Sequence, residues 1–128
     1  MKRQVREWIE KAEGQFNAAS FIRRHRKRTS HDAICFWSHE CAACYAKARL
    51  VQANIGFPIT CDFASVFARV TSVEPLRTSM SKRLEELSFY DESVMYPGRR
   101  CTGREAARAF ETCSRYRSLV RSSLGLES

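Results

Sequence analysis

Two stretches of the chain hold residue types that could do chemistry. Arg23-Arg24-His25-Arg26-Lys27-Arg28 sets five fixed positive charges in six positions. A Lys or Arg that meets a phosphate releases condensed counterions, so a run of this kind predicts contact with nucleic acid or a nucleotide. A solvated connector and contact with an acidic protein are the alternative readings. Arg99 and Arg100, followed by Arg104, Arg108 and Arg115 on one face of the last predicted helix, could extend the same surface, with Glu105 and Glu111 neutralising part of it. The candidate nucleotide- or nucleic-acid-binding residues are therefore Arg23, Arg24, Arg26, Lys27, Arg28, Arg99, Arg100 and Arg104.

The second stretch is His31-x3-Cys35-x3-His39-x-Cys41-x2-Cys44, which reads as a metal-ligand string. Helical geometry opposes that reading: Cys35 and His39 lie about 40° apart, but Cys41 is turned about 200° from His39, so the set cannot converge on one tetrahedral ion. Cys41 and Cys44 share a face with Trp37, Ala48 and Val51, where cysteine serves as a small apolar residue. Buried, reduced, metal-free thiols are expected, and a Cys-x-x-Cys metal or redox pair is the other reading. No metal and no cofactor is expected. Catalytic patterns are sparse, because the chain has no phosphate-binding glycine loop, no nucleophile elbow and no His-Glu-x-x-His pair. The three histidines are His25, His31 and His39; His39 is expected to pack structurally, and His31 sits where the second helix begins.

The elements that must position these residues follow from periodicity. Val5, Trp8, Ile9, Ala12, Phe16 and Ala19 form one helical stripe, and the basic run after it is expected to be an exposed connection. Thr29-Ser30-His31-Asp32 supplies capping residue types for a second helix, whose stripe is Ile34, Trp37, Cys41, Cys44, Tyr45, Ala48 and Val51. Its other side carries Cys35, His39, Ala42 and Ala46, as suits a central helix with neighbours on several sides. Asn54 to Pro58 ends it. A short helix is predicted over Thr60 to Val70, another from Ser72 to about Phe89 with Pro75 in its first turn, and a last one from about Thr102 to Leu124. An antiparallel four-helix up-and-down bundle with one extra short helix results, all-α and within one domain over 1–128.

The chain has 128 residues and 8 Gly plus Pro in total, and lacks an apolar run near the ~18 residues of a membrane span. A charged N-terminus without an apolar segment predicts a cytoplasmic protein and no membrane association, so the six cysteines are read as thiols. The net charge of +8 is uneven: residues 1–31 hold nine Lys/Arg against three Glu, and the remainder thirteen against eleven acids.

In this order the features resemble the HEPN family, the higher eukaryotes and prokaryotes nucleotide-binding domain. Val5-Arg6-Glu7-Trp8-Ile9-Glu10-Lys11-Ala12-Glu13 with Phe16 and Ala18-Ala19 resembles its first helix. Residues Phe36 to Leu50, with the late Lys47, resemble its second, and Tyr96-Pro97 stands where members often have Arg-Tyr-Pro. The resemblance implies a bundle that is commonly dimeric and often partnered by a nucleotidyltransferase in a two-component, toxin–antitoxin-like system. Some members are metal-independent RNases using Arg, four to six residues, then His on the final helix. Here no histidine follows residue 39; Arg26-x4-His31 and Arg24-x6-His31 have the spacing but precede the second helix. Ala43 and Cys44 replace the family's central Glu-Lys pair, and Met95 its usual Arg. The expected function is thus a non-catalytic module binding nucleotide, RNA or DNA, or a nucleotidyltransferase partner. An RNase using Arg26 and His31 and a purely structural interaction module are the alternatives. A homodimer is expected from the resemblance and from the small residues Cys35, Ala42 and Ala46, which permit close helix approach.

Overall fold

A computed structural model describes residues 1–25, 27, 30–59 and 62–127. Thr29, Thr60, Cys61 and the predicted site residues Arg26 and Arg28 lie outside the described residues. Helices α1 (Arg3–His25), α2 (His31–Gln52), α3 (Phe63–Val70), α4 (Thr78–Leu87) and α5 (Gly103–Ser123) are joined by short connections, with a 3₁₀ turn at Glu92–Met95 before α5. The chain is all-helical among its described residues, and none of its helices is long and apolar enough to cross a membrane.

The predicted stripe of α1 is inward: Val5, Ile9, Ala12 and Ala19 are buried, and Trp8 and Phe16 pack at the edge. In α2 every residue from Cys41 to Ala46 is buried. Six consecutive helical positions point in all directions around the axis, so this helix is enclosed by α1, α3, α4 and α5. Enclosure corrects one premise for dimerisation. Cys35, Ala42 and Ala46 are at most 1 % exposed, so the small face of α2 admits neighbours within the chain and is not free for a second copy.

Helix boundaries moved where local chemistry outweighed periodicity. The helix predicted from Ser72 starts at Thr78, because a turn closes α3, with Val73 and Glu74 N–H donating to the Val70 carbonyl, and Pro75 disfavours helix in the residue before it. α3 begins at Phe63, capped by Asp62 accepting from Ser65 N–H at 2.8 Å. Ser30 occupies the cap position of α2 without a side-chain cap bond. Asp32 instead reaches across the bundle and accepts from Cys101 N–H at 2.6 Å, tying the start of α2 to the approach to α5. Thr102 and Glu105 form a reciprocal capping box on α5, and the Glu105 carboxylate also accepts from the Tyr90 hydroxyl at 3.3 Å. Arg108 is paired by Glu86 of α4 and Arg115 by Glu111.

Half-buried charged groups pin α1, α2 and α5 together. Arg117 of α5 grips Glu13 of α1 with two bonds, Nε at 2.7 Å and Nη2 at 2.6 Å, and its guanidinium lies 4.5 Å from the Phe16 ring centroid. Tyr45 of α2 donates to the same carboxylate, and Arg121 donates to the Tyr45 hydroxyl at 3.2 Å. The Arg117 guanidinium holds the Glu13 carboxyl below the usual carboxylate range. A second cluster joins Arg49 to Glu74, which also accepts from Ser123.

The five described cysteines are free and buried. Cys41 and Cys44 separate in their neighbours: Cys41 meets Cys113 of α5, whereas Cys44 meets Gln15 of α1. Burial pushes both thiols up, consistent with small core residues.

Candidate functional site

The end of the bundle where α1 finishes, α2 begins and α5 begins contains a cavity of about 340 Å³. It is lined by Arg23, Arg24, Lys27, His31, Ile34, Gly103, Ala106 and Ala107. Three cations and an imidazole thus meet a floor of apolar residues, and no carboxylate is among the described lining residues.

Local sequence explains how the side chains are presented. Arg23 and Arg24 do not belong to a connection, as expected, but to the last turn of α1, where cations complement the helix dipole. The Arg23 guanidinium sits 5.0 Å from the Phe110 ring centroid, and Phe110 stacks on Phe16 at 5.5 Å, so Arg23 is braced against α5. Arg24 donates to Ser20 one turn back at 3.2 Å. Across the cavity, Gly103 admits the His31 ring: a β-carbon at 103 would lie 3.3 Å from its Cε1. Ala106 and Ala107 continue the same low wall. This Gly-x-x-Ala-Ala pattern was not singled out in the sequence, and it is the signal from which the cavity floor could have been read.

The remaining predicted site residues divide. Arg104 follows Gly103 in sequence and is exposed but does not line the cavity, and Arg100 is exposed in the preceding segment. Arg99 is fastened elsewhere, with Nη2 donating to the Phe89 carbonyl at 2.6 Å and Nη1 to Ser93 Oγ at 3.0 Å, and it holds the 3₁₀ turn in place. The cavity therefore assembles Arg23, Arg24 and Lys27, and His31 joins them as the residue that sequence reading left undecided.

Two other hollows differ in character. A larger one of about 790 Å³, at the far end of α1 and α2, has Trp8, Phe57 and the exposed Ile59 among its walls and holds no concentration of like charge. Another of about 510 Å³ between α2, α3 and the segment after α4 is acidic, with Glu40, Asp62, Asp91 and Glu92 on its walls. His39 lies there, stacked on Phe63 at 4.5 Å and with Nδ1 3.2 Å from Glu40 Oε1, which is the structural role expected of it. Polyanions are repelled from this hollow and attracted to the basic one.

Among known protein families, the model described as the HEPN domain matches residues 5–123, nearly the whole chain. No curated protein and no solved structure matches it.

Proposed function

The chain belongs to the HEPN domain family, and on that premise we propose that it is a non-catalytic module that binds a polyanion, a nucleotide or nucleic acid, in the cleft formed by Arg23, Arg24 and Lys27. The single observation that carries the proposal is the cavity itself: three cations and His31 around one opening with no carboxylate among its described lining residues. Other exposed arginines of the molecule are matched by acids, Arg108 by Glu86 at 2.6 Å and Arg115 by Glu111 at 2.7 Å. Cations left without acidic partners beside a cavity are free to exchange counterions for phosphate. Arg26, Arg28 and Arg100 belong to the same proposed surface by sequence. A nucleotidyltransferase is the protein partner that family membership suggests, and a homodimer would present the basic cleft twice.

The test is the salt dependence of RNA binding by fluorescence anisotropy. Replacing Arg24 and Lys27 with Ala removes two phosphate contacts and should lower the slope of log affinity against log salt by about 1.4. An unchanged slope identifies the run as a solvated face. One observation favours the enzymatic alternative, namely that His31 faces the same cavity as Arg24. RNA incubated with the protein in chelator should remain intact; cleavage that disappears in His31→Ala would assign a metal-independent RNase, with the imidazole as general base toward the 2′-hydroxyl. Light scattering of the free protein tests the homodimer.

A further inference from the structure

A phosphate seat accounts for half of a nucleotide, and the surface beside it offers a place for the other half. Phe21 of α1 is 61 % exposed and takes no part in the hydrophobic core. Its ring centroid lies 4.5 Å from that of His25, with the planes inclined by 44°. His25 Nδ1–H donates to the Phe21 carbonyl oxygen at 2.8 Å, which holds the imidazole against the phenyl group. The two rings thus form an ordered aromatic ledge on the solvent side of the last turns of α1. Arg24, whose neighbourhood lines the basic cavity, is displaced from Phe21 by about 60° around the helix and about 4.5 Å along it. One nucleotide can span that separation.

We infer that Phe21, backed by His25, is a stacking platform for an unpaired base, and that the ligand of the neighbouring cleft is a single-stranded nucleic acid. This rests on the polyanion reading of the Arg24 and Lys27 cleft. Two physical requirements select the single strand. Every base has a π-face that stacks on an aromatic ring regardless of sequence, but in a duplex those faces are already covered by neighbouring base pairs. A bare phosphate ligand, in turn, would leave an exposed phenyl group beside the cleft without a role. Basic side chains tracking the backbone next to an aromatic surface are the combination by which single strands are held without base-edge readout.

The experiment compares three probes, a labelled oligoribonucleotide, the same strand annealed to its complement, and inorganic polyphosphate, each titrated against wild type, Phe21→Ala, Phe21→Trp and the Arg24→Ala/Lys27→Ala double variant. Position 21 is exposed on a helix and alanine is a strong helix former, so Phe21→Ala should keep the fold, which circular dichroism verifies. Phe21→Ala should weaken single-strand binding about five- to tenfold and leave duplex and polyphosphate binding unchanged, and Phe21→Trp should restore it. Equal affinity of Phe21→Ala and wild type for the single strand overturns the platform while leaving the phosphate seat standing, provided the double variant still weakens all three probes. A double variant that binds polyphosphate like wild type removes the phosphate seat. If Phe21→Ala instead splits a dimer and loses all three probes together, Phe21 is a protein contact and the platform is wrong.

Discussion

The middle of the bundle and its basic end use the same residue type to opposite effect. In the middle, Arg117 and Arg121 are each 17 % exposed at the side chain and converge on Glu13, itself held by Tyr45. At the end, Arg23, Arg24 and Lys27 are exposed, and no carboxylate is among the described residues that line the cavity they surround. Low local dielectric makes the first set costly to disturb, because removing one partner strands the other charge away from water. The second set is solvated and costs little to replace, but its charge remains available to a ligand. Stability and ligand affinity should therefore separate cleanly between the two regions.

The sharpest way to break this comparison is Glu13→Ala. It leaves Arg117 and Arg121 unpaired and should destabilise by about 2–3 kcal/mol once partial exposure is allowed for, lowering the melting temperature by roughly 8–10 °C. In the same thermal melts Arg24→Ala should fall within about 0.5 kcal/mol of wild type. Equal losses in the two variants would show that the basic end also bears on folding.

Acid titration sharpens the same contrast. The folded-state pKa of Glu13 is depressed by Arg117, so the stability it contributes is present above the ordinary glutamate value of about 4.3 and is lost as pH falls through the folded value. Asp91, through Ser93, and Glu105, through the backbone of Thr102, act in the same direction. Urea midpoints should decline below about pH 4.5, and Glu13→Gln should flatten that decline. A variant curve parallel to wild type would mean that Glu13 is not a controlling group.

Thiol reactivity gives a kinetic version. In a Cys61→Ser variant the five buried cysteines should resist labelling in native buffer and react at the rate of global unfolding. Rapid labelling of Cys41 or Cys113 would reveal that the α2–α5 seam opens locally. The smallest expected effect is at the exposed Arg108–Glu86 pair, where both side chains are about half exposed. Glu86→Gln should cost less than about 0.5 kcal/mol in chemical denaturation, and a larger loss would contradict the ranking of pairs by burial.

Much of this was legible in the chain. The apolar stripe of α1, the two-sided character of α2 and the inward set Phe63, Val66, Phe67 and Val70 of α3, of which Phe67 is half-buried and the others buried, follow from 3.6-residue periodicity, which reports faces directly. The onset of α4 was not legible, since Pro75 is compatible with a first turn and only the turn closing α3 excluded it. The full burial of Tyr116 and Thr112 in α5 was not legible, because their polar atoms mark them as surface types; Thr112 is accommodated by accepting from Arg83 at 2.9 Å. His31 was ambiguous because its surroundings depend on Gly103, far along the chain.

The sequence by itself determined the helical class, the central helix, the uneven charge and the family. What tertiary structure decided was which described cations pair with acids and which gather around the cavity. Glu13 and Arg117 are 104 positions apart, and Asp32 and Cys101 are 69 apart. Electrostatic pairing acts over a few ångströms between groups that periodicity cannot associate, because periodicity encodes which face a residue occupies and not which distant residue it meets there. Eight arginines and lysines were nominated for a ligand surface on charge alone. Packing fastened Arg99 to its own loop and gathered Arg23, Arg24 and Lys27, with His31, around one cavity.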